Sequence, residues 1–319
     1  MTEAGHRVCS VSVDLDSLAC YHAIHGLPAP PDSAREVVLV RALPRFLDLF
    51  ARRGIRATLF FVGRDVEDAA AAAAVGEAAR AGHEVGNHSY THPYDLARRP
   101  RQVIDAEVRR AHDVLAAAAG PGGGPVGFRA PGYGLAPEVL AALGDHGYRY
   151  DSSVFPSWPY YAAKAAVMAW MRLGGRRSAS VASPPGDLLA PTEPYRPDVR
   201  RPWRRGQAPV VELPVAVAPT TRLPAIGTAI VAGPPWLTTR ILEAMRSRRF
   251  FNLELHGVDL CDARADGVPE ALVARQPDLR VALGEKQRRL EAALDRIAHD
   301  FAFEPLKDVA AIVQRYGRF

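Results

Sequence analysis

Short apolar runs alternate along the chain with longer segments in which apolar residues recur at helical spacing. The apolar and β-branched runs predict buried strands at 7–14, 56–63, 83–88, just before 127–132, and at 147–153, 208–217 and 249–257. The longer segments predict helices at 34–54, 65–81, 100–119, 136–146, 236–248, 268–275 and 284–299, and a last helix that runs to the C-terminus. Pro44 predicts a kink in the first helix.

This alternation indicates the fold class and the domain organisation. Strands that alternate with helices are typical of a parallel sheet covered by helices, either as a barrel or as an open sheet. The chain has 319 residues, a length that one β/α barrel domain can span, so we expect a single domain over 1–319. Residues 156–207 separate two predicted strands and are far longer than a usual strand–helix connection, which predicts an insertion.

The composition narrows the function classes. Hydrophobic residues make up 48 % and charged residues 24 %, as in ordinary globular proteins. A net charge of +5 favours anionic partners slightly, and it is too small to indicate a nucleic-acid partner. Because Cys9, Cys20 and Cys261 are odd in number and widely spaced, no disulfide framework is expected. There is no apolar run of signal-peptide or membrane-span length, so we expect a soluble, cytoplasmic protein.

Polar residues stand where the predicted strands end. These residues are Asp14, His88, Arg129, Asp151 and His256. In a β/α barrel the active site is built at the C-terminal ends of the strands. The pattern therefore predicts that these five side chains reach one rim.

The stretch "GNHSYTHP" raises the question of a metal site. His88 and His92 are four residues apart, which would bring both rings to one side of a helical turn. A surface histidine pair is the alternative. The stretch "VDLDS" supplies Asp14 and Asp16, which could also be a strand end and a helix cap. Two histidines and one carboxylate would leave a divalent ion open positions for a water, whose proton a second carboxylate could take.

Two further residues could complete a hydrolytic site. Arg129, in "FRAPGYG", could orient a carboxylate through a bidentate pair, or form an ion pair before a Pro-Gly turn. His256, in "NLELHG", could protonate a leaving amine, or be a satisfied histidine at a strand end.

Taken in order, these stretches form a set of five motifs. They are "SVDLDS", "HSYTH", "RAPGYG", "YDSSVFPSW" and "LELH". The set, spread over about residues 8–258, resembles the polysaccharide deacetylase, or NodB-homology, family. The resemblance implies a distorted (β/α) barrel with about seven parallel strands. It also implies metal-dependent hydrolysis of an N-acyl group, usually an N-acetyl group on an amino sugar.

The resemblance also implies roles for individual residues. Asp16, His88 and His92 would hold the metal, with zinc as the default and cobalt or nickel as alternatives. Asp14 would be the base that activates water, and Arg129 would orient Asp14. Leu15 separates two aspartates that are adjacent in usual members, which leaves open which of them is the base and which the ligand. The spacing is similar to that of the branch that removes formyl groups from lipid-linked amino sugars.

The remaining implied roles concern the leaving group and the substrate. His256 would be the acid, and Asp151 would tune it. A backbone N–H near Tyr133 would bind the oxyanion, and Leu255 would line the pocket for the acyl methyl group or belong to the core. Trp158, from the weakly matching fourth motif, is the remaining candidate for substrate contact.

The insertion at 156–207 mixes aromatic and basic residues, and 159–173 could form an amphipathic helix. Such a segment suits a membrane interface or an anionic phosphate headgroup, and it could equally be a lid packed on the barrel. The apolar segment 223–235 could be a hydrophobic substrate wall or an ordinary loop.

The resulting hypothesis is a metal-dependent N-deacetylase acting on an amino sugar that is carried on a lipid, a phosphate or a natural-product scaffold. Its rivals are a deformylase of a lipid-linked amino sugar, a metal-independent ring-opening amidohydrolase, and a non-catalytic carbohydrate- or lipid-binding barrel. Metal content and the acid released by turnover would separate them.

Overall fold

The computed structural model describes residues 7–31, 34, 36–181 and 185–317. Eight strands form its sheet: β1 (Val8–Leu15), β2 (Thr58–Phe61), β3 (Glu84–Asn87), β4 (Gly127–Phe128), β5 (Tyr150–Asp151), β6 (Val211–Glu212), β7 (Phe250–His256) and β8 (Ala302–Phe303). Each predicted strand is present, and several are shorter than the apolar run that predicted them.

The strands form one curled parallel sheet. Their order is β6-β5-β4-β3-β2-β1-β7, and β8 pairs with the beginning of β1. Just beyond β6, Val215 pairs in parallel with Asn252 of β7, which brings the two ends of the sheet together. This arrangement confirms the distorted (β/α) barrel with parallel strands.

Helices cover the outside of the sheet. They are α1 (Leu18–Ile24), α2 (Leu43–Ala51), α3 (Ala69–Arg80), α4 (Arg101–Ala119), α5 (Pro137–Asp145), α6 (Trp158–Leu173), α7 (Gly227–Val231), α8 (Pro235–Met245), α9 (Glu270–Val273), α10 (Leu283–Ala298) and α11 (Leu306–Tyr316). No helix among the described residues is long and apolar enough to cross a membrane.

The predicted helix 34–54 is only partly regular. Residues Val38–Ala42 form a π-helical turn, α2 follows directly, and Pro44 lies in the first turn of α2. Proline has no N–H to donate to the carbonyl four residues earlier, so the backbone widens just before it. Residues 32, 33 and 35 lie outside the described part of the chain. The short helices α1 and α7 were not predicted, and α7 occupies the segment 223–235 that was taken for a loop.

Side chains alternate between the two faces of each strand, and this places the polar residues inside the barrel. In β1, Val11 and Val13 belong to the main hydrophobic core beneath the helices. Ser12, between them, donates instead to the Asn252 side-chain oxygen of β7 at 2.8 Å. The barrel interior is therefore polar, and Asp14 follows Ser12 along the same inward face.

Candidate active site

Three side chains converge at the C-terminal ends of β1 and β3. The Nε2 atoms of His88 and His92 each lie 3.2 Å from Oδ1 of Asp16. All three residues are buried, and Asp16 Oδ1 has no hydrogen-bond partner among the described residues. The structure therefore brings together the residues of the predicted metal triad.

The hydrogen bond of His88 determines which of its ring atoms faces the triad. Its Nδ1 lies 2.7 Å from the carbonyl oxygen of Arg129. A carbonyl oxygen can only accept, so Nδ1 donates to it and Nε2 is the ring atom directed at Asp16. Ligand atoms about 2.0–2.2 Å from a zinc ion at tetrahedral or octahedral angles would lie about 2.8–3.6 Å apart. The donor set and its spacing fit a divalent metal ion.

Burial and charge act against each other in this triad. Burial disfavours the charged forms of Asp16 and His92. The nearby histidines outweigh burial and hold the pKa of Asp16 well below its usual range. Cys20 and Asp16 likewise raise the pKa of His92 well above its usual value. A metal ion bound here would displace the histidine proton, so metal binding is expected to release protons.

The loop that carries the two histidines is not the predicted helical turn. Ser89 and His92 both adopt positive φ, at 63° and 57°. The Asn87 side-chain oxygen accepts the Ser89 N–H at 2.8 Å, and the Ser89 hydroxyl oxygen accepts the His92 N–H at 3.1 Å. These local bonds stabilise a left-handed backbone that ordinary residues avoid, and they set the two rings 4.8 Å apart.

Glu107 of α4 fixes the middle of the same loop. Its carboxylate accepts the backbone N–H groups of Tyr90 and Thr91 at 2.9 and 2.7 Å, and the Thr91 hydroxyl at 2.6 Å. The position of the loop therefore depends on α4 as well as on its own sequence.

A second cluster lies beside the triad. Arg129 is fully buried and donates to Asp14 Oδ1 at 2.5 Å, while Asp14 Oδ2 lies 3.8 Å from His88 Nε2. The same guanidinium donates to the backbone oxygen of Ser152 and to the hydroxyls of Ser12 and Ser152, at 2.8 to 3.0 Å. Because these bonds fix Arg129, the guanidinium orients Asp14 with one carboxylate oxygen directed toward the triad.

His256 and Glu254 complete this cluster. One ligand-type atom from each of Asp14, Glu254 and His256 lies within 4.8 Å of the others. Burial lowers the pKa of His256, but the charges of Glu254 and Asp14 outweigh it and raise that pKa to about 9. Burial and Asp14 raise the pKa of Glu254 to about 7. The cluster therefore favours a protonated imidazole at neutral pH.

Asp151 is not placed where the resemblance implied. It is fully buried, and its carboxylate accepts from the Ser153 hydroxyl at 2.7 Å and the Ser153 N–H at 3.2 Å. It also pairs in register with Glu212 of β6. No hydrogen bond joins Asp151 to His256 within the described residues, because two strand positions separate β5 from β7. The nearest charged partner of His256 on its own strand is Glu254.

Tyr133 reaches the site through its hydroxyl group. This hydroxyl donates to Glu254 Oε2 at 2.9 Å. The backbone N–H of Tyr133 donates to the Ala130 carbonyl at 3.2 Å within a short turn, and the residue has a positive φ of 69°. The predicted oxyanion donor is thus engaged in the turn, and the side chain of Tyr133 is the part that supports the cluster.

Leu255 and Trp158 lie away from the polar cluster. Leu255 is fully buried in the main hydrophobic core, on the face of β7 opposite Glu254 and His256. It therefore belongs to the core, the alternative that the sequence left open, and not to an acyl pocket. Trp158 begins α6 and is 56 % exposed, and its contact with substrate stays a prediction.

Sequence reasoning missed two residues of the site. Glu254 stands two positions before His256, and period-two alternation places both on the inward face of β7. Tyr160 of α6 packs its ring against Tyr133 and Phe155, with centroids 5.8 and 4.9 Å apart. Alternation could have identified Glu254, whereas Tyr160 is brought in by a tertiary contact.

Sequence comparison gives a family match. Residues 33–150 match the profile of the family described as polysaccharide deacetylase. The matched stretch contains His88, His92 and Arg129.

The similar proteins include a curated relative and a solved structure. A peptidoglycan deacetylase of Helicobacter pylori is 28 % identical over 153 residues, which cover 47 % of this chain and 50 % of that protein. The match thus spans half the length of the relative. A Mycobacterium smegmatis protein, provisionally assigned as a polysaccharide deacetylase, has a similar structure with a TM-score of 0.60 and 17 % identity. That match covers 100 % of this chain and 94 % of the other, and it supports the fold.

Proposed function

We propose that this chain, which matches the polysaccharide deacetylase profile over residues 33–150, is a metal-dependent amidohydrolase that removes an N-acyl group, most readily N-acetyl, from an amino sugar. The observation that carries the proposal is the convergence of Asp16, His88 and His92, whose ligand atoms lie within 4.8 Å of one another. Asp14, with Oδ2 3.8 Å from His88 Nε2, would act as the base, and His256, in the cluster with Asp14, as the acid.

Asp16, His88 and His92 would hold the metal ion, with zinc as the first choice for a set of two nitrogens and one oxygen. Once bound, the ion would polarise the amide carbonyl and make a water molecule more acidic. Metal identity is open among zinc, cobalt and nickel.

The protein's own groups supply the proton transfers. Asp14, oriented by Arg129, takes a proton from the attacking water through the oxygen that faces the triad. His256 is protonated at neutral pH and donates its proton to the amide nitrogen as the C–N bond breaks. The products are a carboxylic acid and the free amine of the sugar.

Glu254 acts behind His256 as a positioning residue. It is fully buried, and Tyr133 and Arg129 hold its carboxylate at 2.9 and 3.5 Å. Its negative charge is the largest influence that favours the protonated form of His256. Asp14 and His256 therefore act at opposite proton-transfer steps while sharing one buried network.

The amino-sugar substrate is supported by the similarity to the peptidoglycan deacetylase of Helicobacter pylori. A sugar carried on a lipid, a phosphate or another scaffold, and a formyl in place of an acetyl group, are narrower versions of the same proposal. They use the same residues, and they differ in the group that carries the sugar or in the acid that is released.

The test is metal content and acid release for the wild-type protein and for His88→Ala. We expect about one metal ion per chain and release of acetate or formate from N-acyl amino sugars, with both lost in the variant. His299→Ala is a matched control, because that side chain is 81 % exposed and distant in sequence from the triad.

The outcomes separate the alternatives. Acetate or formate in the product identifies deacetylase or deformylase. Full activity without metal in both proteins would overturn the triad and favour a metal-independent amidohydrolase. Bound metal without turnover of free, nucleotide-linked or lipid-linked substrates would favour a binding protein.

A further inference from the structure

Helix α6 presents an uncharged apolar face to solvent. Its outward positions are occupied by tryptophan, proline, alanine, valine and leucine, namely Trp158, Pro159, Ala162, Ala163, Ala166, Val167, Ala169, Trp170 and Leu173. Val167 is 50 % exposed, Trp170 65 % and Leu173 89 %. A contiguous apolar surface of this kind marks an interaction site more often than a solvated helix face.

The inward face of α6 carries Tyr160 and the lysine of the helix. Tyr160 packs on Tyr133, and Met171 is buried. Lys164 turns inward, with its amino group about 6 Å from the ring centroids of Tyr160 and Tyr161. The one lysine of the helix is therefore removed from the outward face.

Both ends of α6 are attached to the barrel. At its start, the Ser157 hydroxyl donates to the carbonyl of Arg222 at 2.8 Å. Just beyond its end, the Ser178 hydroxyl donates to the carbonyl of Ile24 at 2.6 Å, and the Ala179 N–H donates to that of Ala23 at 3.1 Å. With 16 residues the helix spans about 24 Å. Since these contacts hold it at both ends, its outward face stays uncovered by the rest of the described chain.

The charge around this face has one sign. Between Ser152 and Gly186 there is no aspartate or glutamate, while Lys164, Arg172, Arg176 and Arg177 are all basic. Arg172 and Arg177 are exposed, and the guanidinium of Arg176 lies 4.6 Å from the Trp170 ring. An apolar helix face edged by arginines and tryptophans matches an anionic lipid surface, in which aromatic rings and guanidinium groups occupy the headgroup layer.

We propose that α6 docks this protein on an anionic membrane surface, with its outward face in the headgroup region. A second copy of the chain would also cover an apolar face. Two copies would, however, bring their arginine edges close together with no acidic residue from this segment to balance them. Because Tyr160 packs on Tyr133, the docked surface lies near the site. Membrane docking itself does not depend on the proposed function. Its expected consequence, access to acylated sugars held at a membrane, does rest on that function.

The test is flotation of the full chain with lipid vesicles, measured without any substrate. We expect binding to phosphatidylcholine vesicles that contain about 30 % phosphatidylglycerol, weaker binding to phosphatidylcholine alone, and release at about 0.5 M salt. Val167→Glu combined with Trp170→Glu should weaken binding about ten-fold or more, because both changes put charge on the apolar face. Arg172→Ala combined with Arg177→Ala should weaken it on anionic vesicles only.

Matched controls lie on other helices. Val103→Glu changes an exposed valine of α4 that is 40 % exposed, and Arg240→Ala removes an exposed arginine of α8. Neither should alter vesicle binding. All variants are at exposed positions, and their melting temperatures are measured to confirm that they fold.

Two results would overturn the proposal. One is a wild-type protein that does not float with anionic vesicles, or an outward-face variant that floats as well as the wild type. The other is a wild-type dimer in solution that the Val167→Glu, Trp170→Glu variant converts to monomer, which would make a second copy the occupant. Because binding is measured without turnover, failure of the N-deacylase proposal would leave these results unchanged.

Discussion

Asp14 of β1 and Asp16, the first residue after β1, have different partners. Asp16 meets two histidine nitrogens and forms no ion pair with lysine or arginine in the described part of the chain. Asp14, two residues earlier, is paired with the buried guanidinium of Arg129. Asp14 thus has its cation built into the fold, whereas Asp16 and its histidines are arranged to receive one.

This difference explains how two carboxylates only two residues apart can have separate roles. An isolated buried carboxylate costs several kcal/mol unless it is paired, so each aspartate must have its charge balanced. Arg129 balances Asp14 with four further contacts that prevent it from moving to Asp16. The triad is left with three ligand atoms that lie close together and no lysine or arginine beside them, an arrangement that suits a metal ion.

The largest expected effect comes from a pair of matched substitutions. Asp16→Asn should lose the metal and the activity together, because a neutral amide is a poor ligand for a divalent ion. Asp14→Asn should keep the metal and lose about 10²–10⁴-fold in kcat, because the base is gone. Elemental analysis and acid release on the two purified variants check both statements. Loss of metal in Asp14→Asn with retention in Asp16→Asn would exchange their roles.

A smaller effect is expected from His256 in the metal-free protein. Its pKa in the folded chain is about 9, above the ordinary value of 6.5, so its protonation stabilises the fold. That contribution is complete below about pH 6.5 and is lost as the pH rises through about 9. The difference in unfolding free energy between wild type and His256→Gln should therefore shrink by about 1–3 kcal/mol from pH 6 to pH 10.

Denaturant unfolding at several pH values measures this difference. Proton NMR of the histidine rings, with the missing signal of His256→Gln as the assignment, gives the pKa directly. His146→Gln is the control, because that ring is partly exposed and pairs with Asp105 on the far side of α4. A pKa of His256 at or below 6.5 would contradict the role of the anionic cluster.

Much of this site follows from where the strands end. Parallel strands bring their C-terminal ends to one rim, so the positions of Asp14, His88, Arg129 and His256 could be predicted from period-two alternation alone. The path between His88 and His92 could not, because it uses positive φ at Ser89 and His92. That backbone is stabilised by Glu107, a residue on α4 whose contact depends on the packed fold.

No hydrogen bond joins Asp151 or Trp158 to the site cluster among the described residues, so their roles stay predictions. Asp151 and Trp158 were placed by their order along the chain, but contacts across a barrel depend on strand position. Asp151 lies on β5 and is engaged by Ser153, so it does not reach His256 on β7. Trp158 and Tyr160 are two residues apart on α6, and helix geometry turns only Tyr160 toward Tyr133. The length and composition of the insertion do not predict which of these two residues faces Tyr133.

The smallest expected effect comes from substitution of Glu254. It tests whether this residue favours the protonated form of His256 or only stabilises the fold. Glu254→Gln keeps the size of the side chain and removes the charge that most favours protonated His256. We expect kcat to fall about ten-fold with little change in KM, because Glu254 is fully buried and acts through His256. The His256 pKa, measured by NMR in the metal-free protein, should fall toward its ordinary value.

Glu212→Gln is the control for a purely structural effect. Glu212 is also a fully buried glutamate on a neighbouring strand, and it accepts the Val154 N–H at 2.9 Å. Its substitution should lower stability without moving the His256 pKa, because its closest carboxylate partner is Asp151. Equal changes in kcat and in the His256 pKa for both variants would mean that Glu254 supports only the barrel interior. A lower pKa for Glu254→Gln alone would show that the charge next to the acid, and not only the packing around it, sets its protonation.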